Sequence, residues 1–181
     1  MVCPFYGSHN GSDLKLRLNN SIAHGTVLEL PAGTYTGSCG TTVTSQESKM
    51  VLVRGLGRVI IDCEGADRFL YLLGQVHVTL ENVEVRNGRN NAQNDKGGCI
   101  KLEKGAGLTL YNSTIKNCSS AGNGGGVSLT AAGQLEMRGA SVISNCEARV
   151  HGGQSWFHST CVSICLFSVR LHVCMNWDCT L

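Results

Sequence analysis

Residues 109–129 read TLYNSTIKNCSSAGNGGGVSL. Apolar residues alternate, an Asn-Cys step follows, then a glycine-rich run, then alternation again. The same order recurs on either side: residues 79–102 read TLENVEVRNGRNNAQNDKGGCIKL, and residues 134–156 read QLEMRGASVISNCEARVHGGQSW. Asn87, Asn117 and Asn145 thereby correspond, 30 and 28 residues apart, and the pairs Gly97-Gly98, Gly124-Gly125 and Gly152-Gly153 fall 27 and 28 apart. Such a period is a repeat of one supersecondary unit, too long for a heptad. The number of residues between each Asn and its glycine pair varies, as in a surface loop. A weaker copy, LVRGLGRVIIDC at 52–63, places Asp62-Cys63 where later copies have Asn-Cys.

Alternation of Val78 with Leu80, Leu108 with Leu110, Leu135 with Met137, Val83 with Val85 and Val127 with Leu129 predicts strands buried on one face. Asn and Gly sit where the chain must turn through positive φ. A unit of this size cannot bury its own apolar face, but stacked parallel units can, at about 4.8 Å per rung. The expected fold is an all-β, right-handed single-stranded parallel β-helix, a solenoid of about five coils. Leu80, Leu110 and Met137 should form one inward column and Val85, Ile115 and Ile143 another. The third copy has one extra residue between those columns, which predicts a bulge.

The N-terminal stretch SDLKLRLNNSIAHGTVLELPAGTYTG (12–37) spaces Leu14, Leu18 and Ile22 for a short capping helix with Ser12 or Asp13 as N-cap. The alternation of Leu14, Leu16 and Leu18 leaves a strand open. With 6% aromatic and 15% charged residues, and no apolar run near the ~18 residues a membrane helix needs, the 181-residue chain reads as one domain over 12–153 without a transmembrane segment. Its net charge of +2 is scattered, which argues against nucleic acid as partner. Residues 154–181 hold no glycine, both Trp and four of the ten Cys. They are an atypical Cys-rich tail, either an extra rung on Val162, Ile164 and Leu166 or a non-repeat segment, with Trp156 and Phe157 available as a plug.

A short helix followed by GTVLELPAGTYTG resembles the opening of pectin-lyase-like right-handed β-helix proteins. The units GGCI and GGGV, with IKNC and ISNC, are similar to repeats of the polymorphic outer membrane protein family. That family's repeats carry GGA[IVL] and FxxN; here position 99 is Cys, position 126 is Gly and the Phe is missing. The first resemblance implies polysaccharide binding or cleavage. The second implies a cell-surface adhesin, with surface glycans or other surface proteins as partners. Both imply an extracellular or cell-surface location.

A pectate lyase of this fold would imply Ca²⁺ on clustered acids with an Arg base, and a glycosidase two carboxylates flanking the bond. The best local cluster is DCEGADR (62–68), offering Asp62, Glu64, Asp67 and Arg68 as weak catalytic candidates; the plain alternative is a solvated turn. Glu81 and Glu84 follow on the next unit and suit outward strand positions. GNGGGV precedes a β pattern and lacks the Lys-Ser/Thr of a phosphate loop, so its glycines belong to a corner and bind no nucleotide. No calcium roll is present either, because the glycine repeats carry no Asp. The expectation is a non-catalytic binding or structural module needing no cofactor or metal, with a polysaccharide lyase or glycoside hydrolase as the alternative.

The cysteines are Cys3, Cys39, Cys63, Cys99, Cys118, Cys146, Cys161, Cys165, Cys174 and Cys179. Without a C-x₂-C pair a zinc ribbon is disfavoured, although Cys161 with Cys165 and Cys174 with Cys179 leave looser ligation open. Cys63, Cys118 and Cys146 share one slot, interrupted at Gly88. The slot predicts a ladder of small buried thiols, with disulfides between stacked rungs as the other reading. A nucleophilic Cys would need a His, and neither His77 nor His151 is placed for it by sequence. Sequons at Asn10, Asn19, Asn112 and Asn117 are compatible with a secretory route. The first residues show no signal peptide, which suggests a fragment of a longer surface protein.

Overall fold

The computed structural model describes residues 2–4, 11–19, 21–92, 95–130 and 132–148. His151, Gly152-Gly153, the tail 154–181 and the sequon at Asn10 lie outside the described residues. Strands dominate: β1 (Val2–Pro4), β2 (Thr26–Thr36), β3 (Thr41–Asp62), β4 (Leu70–Arg86), β5 (Arg89–Asn90), β6 (Ile100–Glu103), β7 (Gly107–Tyr111), β8 (Thr114–Lys116), β9 (Ser119–Ser120), β10 (Val127–Leu129), β11 (Gln134–Arg138), β12 (Val142–Ser144) and β13 (Glu147–Ala148). Among the described residues one helix, α1 (Gly11–Arg17), lies between β1 and β2.

Every strand pairing is parallel and joins equivalent segments of successive layers. The result is a β-solenoid of about four turns. Layer 1 is β2, layer 2 β3, layer 3 β4 and β5, layer 4 β6 to β9, and layer 5 β10 to β13. All five layers stack on one face, with β1 beneath them, but layer 1 supplies no strand to the face that opens the later layers. This is why the expected five coils amount to about four turns.

Leu28, Val53, Leu80, Leu110 and Met137 are in register, and so are Tyr35, Ile61, Val85, Ile115 and Ile143. Both expected columns therefore exist, and each extends two layers lower. Their members line a single apolar core. The extra residue of the third copy forms no bulge: it enlarges the turn at Gly139 and Ala140 between β11 and β12. Asn82, Asn87, Asn112, Asn117 and Asn145 turn the corners at φ between 48 and 56°, a conformation Asn tolerates better than other side chains with a Cβ.

Helix α1 resolves the ambiguity of the N-terminal leucines. Leu14 and Leu18 are fully buried while Leu16 is 71% exposed, a helical and not an alternating pattern. The helix begins at Gly11, so Ser12 and Asp13 sit in its first turn instead of at the N-cap; Asp13 pairs with Arg17 at 3.5 Å.

Candidate functional site

Each layer begins and ends along one edge, and the connections between layers gather there, among them residues 37–40, 63–69, 95–99 and 121–126. Cys39 and Cys63 form a disulfide with Cα atoms 5.4 Å apart, and Cys99 and Cys118 another at 5.5 Å. Cys39 lies just before β3 and Cys63 just after it. Cys99 likewise precedes β6, and Cys118 follows β8. Each bridge thus closes a layer on itself at the seam.

This corrects the expected thiol ladder, and also the alternative of bridges between stacked rungs. Asp62 is in register with Arg86, and Arg86 with Lys116, so Cys63 stands one residue away from the slot of Cys118. The left-handed corner of layer 2 is Glu64, not Asp62. Gly88 does stack beneath Cys118. A Cβ there would collide with Cys99 Sγ and the Gly98 carbonyl, so the glycine leaves room for the bridge above it.

Asp62 accepts from Arg86 Nε (2.7 Å), Asn87 Nδ2 (2.9 Å) and the Glu64 N–H (3.0 Å). Its burial alone would raise the carboxyl pKa, but these bonds outweigh it and hold the pKa low. Glu64 is exposed. Asp67 accepts from the N–H of Arg68 at 2.7 Å. The Arg68 guanidinium reaches away, to Asp95 and to the Lys96 carbonyl at 2.9 Å, with Asp67 at 4.0 Å. The DCEGADR residues share a turn, but Asp62 and Arg68 have separate partners. Glu81 and Glu84 belong to the charged wall, on Arg54 (3.1 Å) and Lys116 (3.0 Å) respectively.

The densest polar assembly is one that the sequence did not reveal. Tyr71 and Lys101 are outward neighbours on β4 and β6, and the Lys101 ammonium lies 4.6 Å from the Tyr71 ring centroid. Lys101 pairs with Asp95 and Glu103, both at 3.0 Å. The Tyr71 hydroxyl donates to Glu103, and Thr130 Oγ1 donates to the same carboxylate at 3.0 Å. Burial would raise the pKa of Asp95, yet hydrogen bonds from Lys101, Arg68 and the Lys96 N–H bring it down to about 2. Glu103 is lowered for the same kind of reason, through Tyr71, Lys101 and Thr130. Lys101 is raised: its two carboxylates overcome a burial that would lower it. Perturbed groups of both signs, with an aromatic ring among them, make this seam-side patch the best candidate for binding.

On another face His77 Nε2 lies 2.8 Å from Thr109 Oγ1, with Glu136 3.4 Å beyond. Burial lowers the His77 pKa, and the Glu136 charge opposes this only in part. Among the described residues no three His, Cys, Asp or Glu side chains converge as a metal site, and no helix is long and apolar enough to cross a membrane. Compared with known proteins, the chain matches no family model, no curated protein and no solved structure.

Proposed function

We propose that this chain is a non-catalytic extracellular or cell-surface module that binds glycans or other proteins along its seam edge. The observation that carries the reading is the seam itself. The connections after β3, β5 and β9, longer than those at the other corners of these layers, run along one edge, where two disulfides pin the loops. Repeat proteins place insertions on the face that binds, and disulfides persist in oxidising compartments. The resemblance to pectin-lyase-like and polymorphic outer membrane proteins points the same way. Tyr71, Lys101, Glu103 and Asp95 supply a ring and polar groups suited to a hydroxyl-rich ligand.

A polysaccharide lyase or hydrolase, with Ca²⁺ in the lyase case, is the competing reading. It has less support, because Asp62 and Arg68, its best residues, are engaged in separate ion pairs. The oxidised protein should be retained on immobilised polysaccharides and release no unsaturated or reducing ends, with or without Ca²⁺. Retention should fall at least several-fold in Tyr71→Ala. Cleavage that disappears in Asp62→Asn would transfer the site to the enzyme reading.

A further inference from the structure

Layer 4 carries an acceptor motif at the exposed corner between β7 and β8, away from the seam. We infer that Asn112 is an N-glycan attachment site. The inference rests on the extracellular reading above, and its test separates the two.

Asn112-Ser113-Thr114 fits the acceptor pattern of Asn followed two residues later by Ser or Thr. Asn112 is exposed at the corner between β7 and β8, at φ 48°. Its Oδ1 accepts the Ala140 N–H at 3.0 Å, which fixes the amide by its oxygen. The residue stacked above is Gly139, where a Cβ would run into Asn112 Oδ1. The layer above thus packs closely on the amide oxygen, while the residue as a whole stays exposed. Asn82, the equivalent corner one layer below, has no Ser or Thr at the required position.

The other described sequons are less well placed. Asn19 donates its Nδ2 to the Leu16 carbonyl and accepts the Ser21 N–H at 2.8 Å, so both ends of its amide secure the end of α1. In Asn117-Cys118-Ser119 the middle residue is buried and bridged to Cys99.

In the transfer, Asn112 Nδ2 loses one proton and bonds the anomeric carbon of an oligosaccharide carried on a lipid pyrophosphate. The carbon–oxygen bond to the pyrophosphate breaks, and the pyrophosphate leaves with the electron pair. Ser113 is buried in the finished wall, donating its hydroxyl to the Leu80 carbonyl at 3.0 Å and accepting the Val83 N–H at 3.1 Å. Transfer must then precede closure of this corner.

The test expresses the full chain behind a secretory signal in a eukaryotic host and maps peptides after enzymatic deglycosylation in heavy-oxygen water. Asn112 should be converted to labelled Asp, and the glycan-dependent mobility shift should be lost in Thr114→Ala, which leaves Asn112 and its bond to Ala140 in place. A chain secreted with both disulfides but bare at Asn112 overturns the glycan and leaves the extracellular reading standing. A chain retained with free thiols counts against the extracellular reading, and the same map made on that chain still upholds or overturns Asn112.

Discussion

Leu28 and Tyr35 in layer 1 are almost completely buried, whereas Met137 and Ile143, in the same two columns of layer 5, are only partly so. Register and side-chain type do not account for the difference. Below layer 1, β1 pairs with β2 along Val2–Pro4, and α1 turns Leu14 and Leu18 into the core. A column position in a solenoid therefore has no fixed hydrophobic value: each side chain is dried by the layers on both sides of it.

Paired substitutions would sharpen that contrast most. Leu110→Asp puts a carboxylate in a dry interior with a layer above and below, and should cost on the order of 4 kcal/mol or prevent folding. Met137→Asp, one layer up in the same column, should cost about 1–2 kcal/mol, because a partly exposed site lets the carboxylate reach water. Urea unfolding of both variants checks the ranking. Equal losses would show that layer 5 is as dry as layer 4 in solution.

The seam bridges offer a second contrast. Replacing both partners, Cys99→Ala with Cys118→Ala, removes a bridge spanning 19 residues, with an expected loss of about 3 kcal/mol. The companion pair Cys39→Ala with Cys63→Ala spans 24 residues, so by chain entropy alone it should cost about the same. Location should separate them. The first pair lies next to the less protected layer 5, and its loss should speed amide exchange across β10 to β13. The second lies beside the capped end, where β1 and α1 should hold exchange in β2 nearly unchanged. Identical exchange patterns would mean that the two ends are equally secured.

Much of this was legible in the sequence, because inward columns depend only on period-two alternation and on a repeat length read from Asn and Gly. Leu80, Leu110 and Met137 could be aligned without knowing any loop. The seam could not. Whether Cys63 faces Cys39 or stacks toward Cys118 depends on a one-residue offset in layer 2, where Glu64 replaces Asn at the left-handed corner. The Tyr71 patch depends on register in the same way: Tyr71 meets Lys101 across 30 positions, and Arg68 meets Asp95 across 27. Loops of unequal length hide such pairs, since the apolar alternation that aligns the inward columns carries no identity for the outward positions between them. The available signal is the pair of outward positions on β4 and β6, where Tyr71 stands in register with Lys101.

Acid should have the smallest effect, yet it should separate the two ends again. Glu103 ties layer 4 to layer 3 through Tyr71 and to the chain just beyond β10 through Thr130, and Lys101 joins it to Asp95. Layer 1 takes no part in this network. Asp95 falls from its ordinary 3.8 to about 2 in the folded protein, so the unfolded chain binds its proton first as pH drops. The stability Asp95 contributes is complete above pH 4 and is lost as pH falls toward 2. Glu103 and Asp62, also lowered, act in the same sense. Side chains this accessible are screened, so the effect should be modest and should shrink further in salt. His77 is lowered from 6.5 by burial, and its own contribution declines as pH falls below that value. The pH 4 to 2 interval is therefore the one in which to compare parent and Asp95→Asn by urea unfolding. The parent should lose stability across it, and Asp95→Asn should lose measurably less. Amide exchange in that interval should rise in β6 and β10 before it rises in β2. Parallel pH curves for the two proteins would show that the Asp95 ion pairs do not hold the later layers together.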